Sequence, residues 1–513
     1  MDPVSLSIFV NRINAVCEQM GAVLRRAAFS PNIRDRLDFS CALFDADGAL
    51  CAQAAHIPVH LGSMAFAMGG VVRHRDWQDG DILVLNDPYL GGTHLPDVTV
   101  IMPVFLGQAL AGFVANRAHH SDIGADTAGS LPLSRTLEEE GVIIPPTLLG
   151  KRGEIDSDCL AGLTRRMNRP EQVAADFSAQ VAAARSGRDQ LAPLLQGMGL
   201  SAWKQHLQAV NDYAERLAGQ ALARIPHGRY HFSDCMDDDG FGHWDLPIRL
   251  AMVVGPDGVS LDFSGSCEQV AGNINCPLSV TAAAVLYVFR CLMPEETPGT
   301  AGAFRRIVIH APEGSLLNAR APAAVAAGNV ETSQRIVDVV IGALAEAMPD
   351  RMPAASQGSM NNLAMGSRHG AGWDYYETLG GGTGGHARGR GLDGVHSHMT
   401  NTLNTPVEVI EMAWPLQVLH YGFRPASGGS GQNPGGDGIV RCYRFLETAE
   451  ISLLTERRRH GPWGLSGGGE GMAGRNRLNG RDLGGKCHLR VRAGDCLTVE
   501  TPGGGAWGRA GRA

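Results

Sequence analysis

Five glycine-rich runs in the last third of the chain set the strongest limit on its fold: LGGGTGG (379–385), SGGSG (427–431), PGGDG (434–438), SGGGEG (466–471) and PGGGAWG (502–508). Glycine has no side chain to bury and the largest backbone entropy to lose, so such runs build neither an ordinary core nor a stable helix. The chain has 67 glycines in 513 residues, about 13% against roughly 7% in an average protein, and about half lie beyond residue 350. They do not recur at every third position, which excludes collagen. Each run sits near Asn, Asp, Arg or an aromatic residue. This reads as close-approach loops and, for most of the glycines, tight turns between short strands.

Charge and composition narrow the function. With 44 Lys+Arg against 52 Asp+Glu, the net charge of −8 argues against a nucleic-acid partner, which needs a basic surface. The longest apolar run, 279–292, is too short to span a bilayer and contains Arg290. The first residues lack the basic segment of a signal peptide. Eleven cysteines, odd in number and never spaced as CxxC, fit reduced thiols rather than a disulfide framework or zinc ribbon. The expectation is a cytoplasmic protein with no membrane contact.

The order of elements reads as α+β, multi-domain, with mixed sheets and helical insertions. Phe9, Ile13, Val16, Met20 and Leu24 place one apolar stripe on a helix over about 4–28. A hairpin is expected around Asp47-Gly48, and strands over 81–87, 98–105 and 111–118. The boundaries implied are an N-terminal helix plus β-rich region (1–157), a helical segment (158–227), an α+β region (228–350) and a glycine-rich, β-dominated region (351–513). A buried helix over 330–348 follows GNVETSQ, with Asn329 or Thr332 as its cap.

The residues that carry chemistry lie in NDPYLGGTHLPDVTV (86–100) and NRAHHSDIG (116–124). His94 and Asp97 fall in a turn between two strands, and His119 and His120 end the next strand but one. Two imidazoles and one carboxylate brought together this way leave coordination positions open, a donor set that suits Zn, Mn or Fe. His119 and His120 point to opposite faces, so one of them is the ligand. Asp87 or Asp122 is placed to orient a ligand imidazole. Spacing alone is equally compatible with loop histidines bonded to backbone.

Other motifs carry less. His56 and His60 flank Pro58 in an extended segment, which separates them and gives them a core or substrate-facing role. His396 and His398 alternate along a predicted strand and share a face. Gly380-x-Gly382-x-x-Gly385 has no helix after it, Gly464-x-Ser466-x-Gly468 follows no strand, and neither Lys151 nor Lys486 completes a Walker A loop.

Taken together, DFSCALFDADGALCAQAAHIPVHLGSM, NDPYLGGTHLPDVTV, ANRAHHSDIG, EGVIIPP, AAGNVETSQRIVD, YYETLGGGTGG, HMTNTLNTPVE and ETPGGGAWG resemble the signatures of the hydantoinase B/oxoprolinase family along nearly the whole chain. The resemblance implies the B-type subunit of an ATP-dependent cyclic-amide hydrolase (EC 3.5.2 type), of the N-methylhydantoinase or 5-oxoprolinase kind, in a hetero-oligomer. It implies a divalent metal on His94, Asp97 and His119, with His120 beside them in the catalytic set. ATP and Mg would be bound by an A-type partner that phosphorylates the carbonyl of a small cyclic amide, and a metal-bound water would then attack. A ketone carboxylase subunit and a non-catalytic scaffold for the ATPase are the alternatives, with a mononuclear iron oxygenase a further one. NRAHHSDIGADTAGS departs from the family pattern in lacking a Gly-Gly just after the motif.

Overall fold

The computed structural model describes residues 2–55, 57–368 and 372–511. Helix α1 (Pro3–Ala27) is started by the Asp2 carboxylate, which accepts from the Val4 and Ser5 N–H groups, and buries the predicted stripe. A single turn, α2 (Pro31–Arg34), leads into β1 (Phe39–Asp45) and β2 (Leu50–Ala55), the hairpin expected at Asp47-Gly48. Then come α3 (His60–Val71), β3 (Ile82–Leu85), β4 (Asp97–Leu106), β5 (Ala109–His119), β6 (Thr147–Lys151) and β7 (Glu154–Ile155). The seven strands form one antiparallel sheet in the order β2-β1-β5-β4-β3-β6-β7. Gly107, at φ +63°, makes the tight turn that pairs β4 with β5.

Helices α4 (Ser157–Thr164), α5 (Pro170–Met198) and α6 (Leu200–Leu222) follow. They do not enclose a core of their own. Phe177 and Val181 of α5 and Trp203 and Leu207 of α6 join Phe9 and Ile13 of α1 over the sheet residues Val98, Val100 and Val114. The segment 158–227 is therefore a cover for the first sheet rather than a separate unit.

Strands β8 (Gly228–Asp238), β9 (Trp244–Gly255) and β10 (Gly258–Asp262), helix α7 (Leu278–Leu292), strand β11 (Ile307–His310) and helix α8 (Ser333–Ala347) make a second layer pair. The four strands run in the order β11-β10-β9-β8, with β10 and β11 parallel. Beyond them lie β12 (Asn362–Ser367), β13 (Trp373–Glu377), α9 (Val407–Ala413), β14 (Leu416–Arg424), β15 (Gly438–Phe445), β16 (Ala449–Leu454), β17 (Arg475–Leu478), β18 (Arg481–Asp482), β19 (Lys486–Val491) and β20 (Cys496–Glu500). These form a four-stranded and a five-stranded sheet. Buried ion pairs cross the expected boundary at 350: Arg335 Nη2 meets Glu456 at 3.1 Å, and Arg457 Nη2 meets Asp234 at 2.7 Å and Asp338 at 2.6 Å. The architecture is mixed α and β with several antiparallel sheets, as the α+β reading expects. Among the described residues no helix is long and apolar enough to cross a membrane.

The glycine runs correct the turn reading. Of their glycines only Gly467 and Gly508 have φ in the left-handed region. The rest are extended segments that lie side by side and hydrogen-bond to more than one neighbour. Gly504 N–H donates to Gly436 O (2.9 Å) while Gly504 O accepts from Gly429 N–H (2.8 Å), and Gly436 N–H donates to Thr383 O (2.9 Å). Gly385 N–H donates to Gly505 O and Gly505 N–H to Ala355 O, each at 2.8 Å. Backbones come this close because no Cβ stands between them; one added at Gly382, Gly436 or Gly504 would collide with a neighbouring main chain.

Candidate metal centre

Strand register puts Asp97 directly opposite His119 on β4 and β5. Directly opposed residues on antiparallel strands share a face, with Cβ atoms about 4.5–5.5 Å apart. The preceding loop returns His94 to the same place: Gly91, at φ +94°, is pressed against α3, where any Cβ would strike the Ala67 backbone. His94, Asp97 and His119 each offer a ligand atom, all within 4.8 Å of one another, and all three residues are buried.

Buried polar atoms are normally paired, and here several are not. His94 Nδ1 and Nε2, Asp97 Oδ1 and His119 Nε2 make no hydrogen bond among the described residues. Asn32 Nδ2 lies 3.2 Å from His119 Nδ1 and holds the ring from that edge, with Nε2 turned toward the cluster. The ring also stacks on Tyr376, with centroids 5.2 Å apart and planes 3° from parallel. Two imidazole nitrogens and a carboxylate oxygen, buried, convergent and without partners, fit a divalent transition metal with positions left open.

The charges are strongly coupled. Burial alone would raise the Asp97 carboxyl, but His94 and His60 hold it well below the usual carboxylate range. Thr93 Oγ1 donates to the same carboxylate. Burial lowers the His94 imidazolium, yet Asp97, with Glu140 and Asp38 further off, raises it overall. His119 is driven well below its ordinary value by burial and by His94. Asp97 is thus held as a carboxylate and His119 as a neutral imidazole, the forms that bind metal, whereas Asp97 favours the protonated form of His94.

The candidates divide. His60 corrects the extended reading of 56–60: it opens α3, its Nδ1 lies 3.0 Å from Ser40 Oγ, and its Nε2 lies 3.4 Å from Asp97 Oδ2, as does His94 Nε2. His56 lies outside the described residues. His120 is turned to the other side of β5, where its Nε2 lies 2.9 Å from Gln180 Oε1 and its ring packs on Phe177 of α5, so it does not join the catalytic set. Asp87 caps the turn 88–90 through Tyr89 N–H, and Asp122 accepts from Gly124 N–H, Asn168 Nδ2 and Arg169 N–H. These carboxylates hold loops and orient no ligand imidazole. His396 and His398 are not on a strand; His398 has φ +57° and lies 3.9 Å from Asp338, and burial lowers His396 to about 4. A further Cys235, Asp245 and His460 group is at the surface, where His460 (2.6 Å) and Arg459 (3.5 Å) already pair Asp245.

Sequence reasoning missed the residues that enclose the centre. A cavity of about 20 Å³ beside Asp97, His60 and His119 is lined by Asp38, Ile57, Val59, Asn329, Met360, Tyr376, Thr378 and Met399. Asp38 adds a second carboxylate, raised by burial and in the field of Asp97, His60 and His94. Arg36, 1% exposed, donates to Asn32 Oδ1 (3.2 Å), Tyr376 O (3.1 Å) and Thr378 Oγ1 (3.1 Å) and lies over the Tyr376 ring. The signal was present: Asp38, Asn329 and Tyr376 each fall inside a signature segment, but nothing local placed them beside the centre.

A mixed α/β protein with a buried two-histidine, one-carboxylate cluster under a small cavity is the class this geometry defines. The chain belongs to the hydantoinase B/oxoprolinase family, whose model matches residues 2–510. It is 38% identical to an uncharacterised protein of Methanocaldococcus jannaschii over 99% of this chain and 91% of that one. It is 39% identical to 5-oxoprolinase 1 of Arabidopsis thaliana, covering 99% of this chain but 42% of the plant protein. In fold it is similar to the ATP-dependent caprolactamase of Pseudomonas jessenii (TM-score 0.92, 24% identity, 99% and 91% of the two chains). It is likewise similar to acetone carboxylase in its nucleotide-free structure (TM-score 0.88, 18% identity, 99% and 76%).

Proposed function

We propose that this chain is the B-type subunit of an ATP-dependent cyclic-amide hydrolase acting on a hydantoin, 5-oxoproline or similar lactam. The observation that carries the reading is the set of unpartnered ligand atoms on His94, Asp97 and His119, the last two of which line a cavity. Membership of the family and the 42% span of a protein named 5-oxoprolinase support it. The rest of such an enzyme, including the ATP site, would reside in an A-type partner, a division with which the lack of a Walker A loop in this sequence agrees.

His94, Asp97 and His119 would hold a divalent cation, Zn, Mn or Fe. When bound, such an ion lowers the pKa of a coordinated water and stabilises negative charge developing on oxygen. Asn32 and Tyr376 hold the His119 ring in place from both sides. His60 and Thr93 anchor the Asp97 carboxylate, so that Oδ1 stays directed into the cluster. Asp38 adds a second carboxyl group on the cavity side. An amide carbonyl is a poor electrophile, and phosphorylation of its oxygen by the partner supplies a leaving group.

Co-expression with an A-type subunit, followed by ATP-dependent ring opening of hydantoin and 5-oxoproline with and without bicarbonate, tests this. Ring opening without bicarbonate supports the hydrolase. A strict bicarbonate requirement with a ketone substrate would replace it with a carboxylase, and full activity in a His94→Ala chain would leave only a scaffold role.

A further inference from the structure

One wall residue of the cavity has an unmet hydrogen-bonding capacity that the metal does not use. Asn329 is 4% exposed, and its Oδ1 accepts no hydrogen bond among the described residues. It does not cap α8, as the sequence suggests; helix entry is a π-turn over Gly328–Thr332 with no side-chain cap. Such turns are uncommon and cluster at functional sites. This one is held firmly. Gly328 N–H donates to Asn273 O at 3.0 Å, Ser333 Oγ donates to Asn329 O at 2.6 Å, and any Cβ at 328 would strike the Asn275 carbonyl.

On the same turn, Glu331 Oε1 accepts from Met360 N–H (2.9 Å) and Asn362 Nδ2 (2.6 Å), which fixes the backbone of the cavity residue Met360. Around Asn329 the wall is otherwise apolar on one side, with Ile57, Val59, Val330, Met360 and Met399. The side chains of Met360 and Met399 are unbranched and can repack to admit a ring that the cavity of about 20 Å³ does not yet hold.

We infer that Asn329 is a specificity-determining residue that binds the amide edge of a cyclic substrate, its carboxamide oxygen accepting the ring N–H. This rests on the cyclic-amide reading above and names what the cavity recognises. A primary carboxamide offers one acceptor and one donor side by side. A five- to seven-membered lactam is forced into the cis amide, which puts its own N–H and C=O on one edge and matches that pair at two points. Linear secondary amides rarely populate the cis form, so the same contact excludes them. A buried acceptor facing a methyl group in place of N–H is left unsatisfied, and sites built on such a contact reject the analogue strongly.

The test uses the full-length chain, loaded with Zn²⁺, and three probes: 2-pyrrolidinone, N-methyl-2-pyrrolidinone and the linear N-methylacetamide. Ligand-observed NMR titration reads the affinities. The wild-type chain is expected to prefer 2-pyrrolidinone over each of the other two by about tenfold or more. In Asn329→Leu the preference for N–H over N-methyl should shrink to within about twofold, while Asn329→Asp, which keeps an acceptor, should retain it. Equal binding of the methylated and unmethylated rings by the wild type overturns the inference without reference to any variant. So does an Asn329→Leu chain of unchanged circular dichroism that keeps the preference. Ring opening is read separately with the A-type partner. A chain that shows the N–H preference but opens no lactam supports Asn329 and refutes the hydrolase reading instead.

Discussion

The stacking of glycine segments makes a quantitative claim about substitution, and Gly471→Ala tests it. Gly471 is buried and not in the left-handed region, so backbone conformation raises no objection to alanine. Space does. An added Cβ would lie 2.6 Å from both Gly503 O and Gly504 O and 2.8 Å from Gly503 C, some 0.6–0.8 Å short of an ordinary 3.4 Å contact. All three atoms are main chain, so no side-chain rotation relieves the clash. Forced overpacking costs about 1–3 kcal/mol. Parting the segments also threatens the bonds Gly471 N–H to Pro462 O (2.9 Å) and Gly503 N–H to Met472 O (3.2 Å). Each buried group left unpaired costs about 1–3 kcal/mol, and a total loss of about 2–6 kcal/mol follows if one is broken. For a region of about 160 residues that is a drop of about 4–24 °C in melting temperature. Gly162→Ala is the control: it sits exposed in α4 with nothing within 4 Å of the new Cβ. It should be stabilising by about 0.5–1 kcal/mol through helix propensity. Differential scanning calorimetry of both variants decides the matter, with limited proteolysis to locate the loosened region. A Gly471→Ala chain that melts with the wild type would refute close backbone packing as the reason for glycine.

Three other outcomes follow from the centre and its surroundings. Asp97→Asn, which keeps shape but removes the charge facing His94 and His60, should lower metal retention by about 100-fold or more, read by elemental analysis after dialysis. Glu140 is raised by burial from 4.5 to about 7, although Ala326 N–H, Ser134 and Val325 N–H bond to it; a raised carboxyl leaves its stabilisation intact below pH 4.5 and loses it as pH rises toward 7. Glu140→Gln should therefore stabilise the metal-free chain by roughly 3 kcal/mol at pH 8 and by little at pH 4.5, and equal melting shifts at the two values would contradict this. Arg36→Met removes donors to Asn32, Tyr376 and Thr378 and should cost about 2–4 kcal/mol, with faster proteolysis near 399–405 as its signature.

What could be read from the sequence is what local chemistry decides. The Asp47-Gly48 hairpin and the α1 stripe are set by neighbours a few residues apart, and the tight turn at Gly107 fixes the register that opposes Asp97 to His119. The backbone at His60 is helical rather than extended, since Pro58 breaks a helix only before itself and α3 begins two residues later, while the residue is buried and faces the cavity. The glycine runs were read as turns because glycine's φ freedom is a local property, while their packing partners lie up to about 120 residues away, as with Thr383 and Gly504. Tyr376 and Asn329 reach the centre from more than 200 residues beyond His119, a distance no spacing rule spans.

That separation has a consequence in time. The putting together of His94, Asp97 and His119 needs only the first sheet, which is complete in β1 through β5 apart from its edge strands. The residues that roof it, Asn329, Met360, Tyr376 and Met399, follow 210 to 280 positions later. At a synthesis rate of about 5–20 residues per second, the ligand cluster stands uncovered for on the order of 10–60 s on the ribosome. On the reading proposed above, a cation that reached His94, Asp97 and His119 during synthesis would meet an open, half-built pocket, and the finished roof would then close over it.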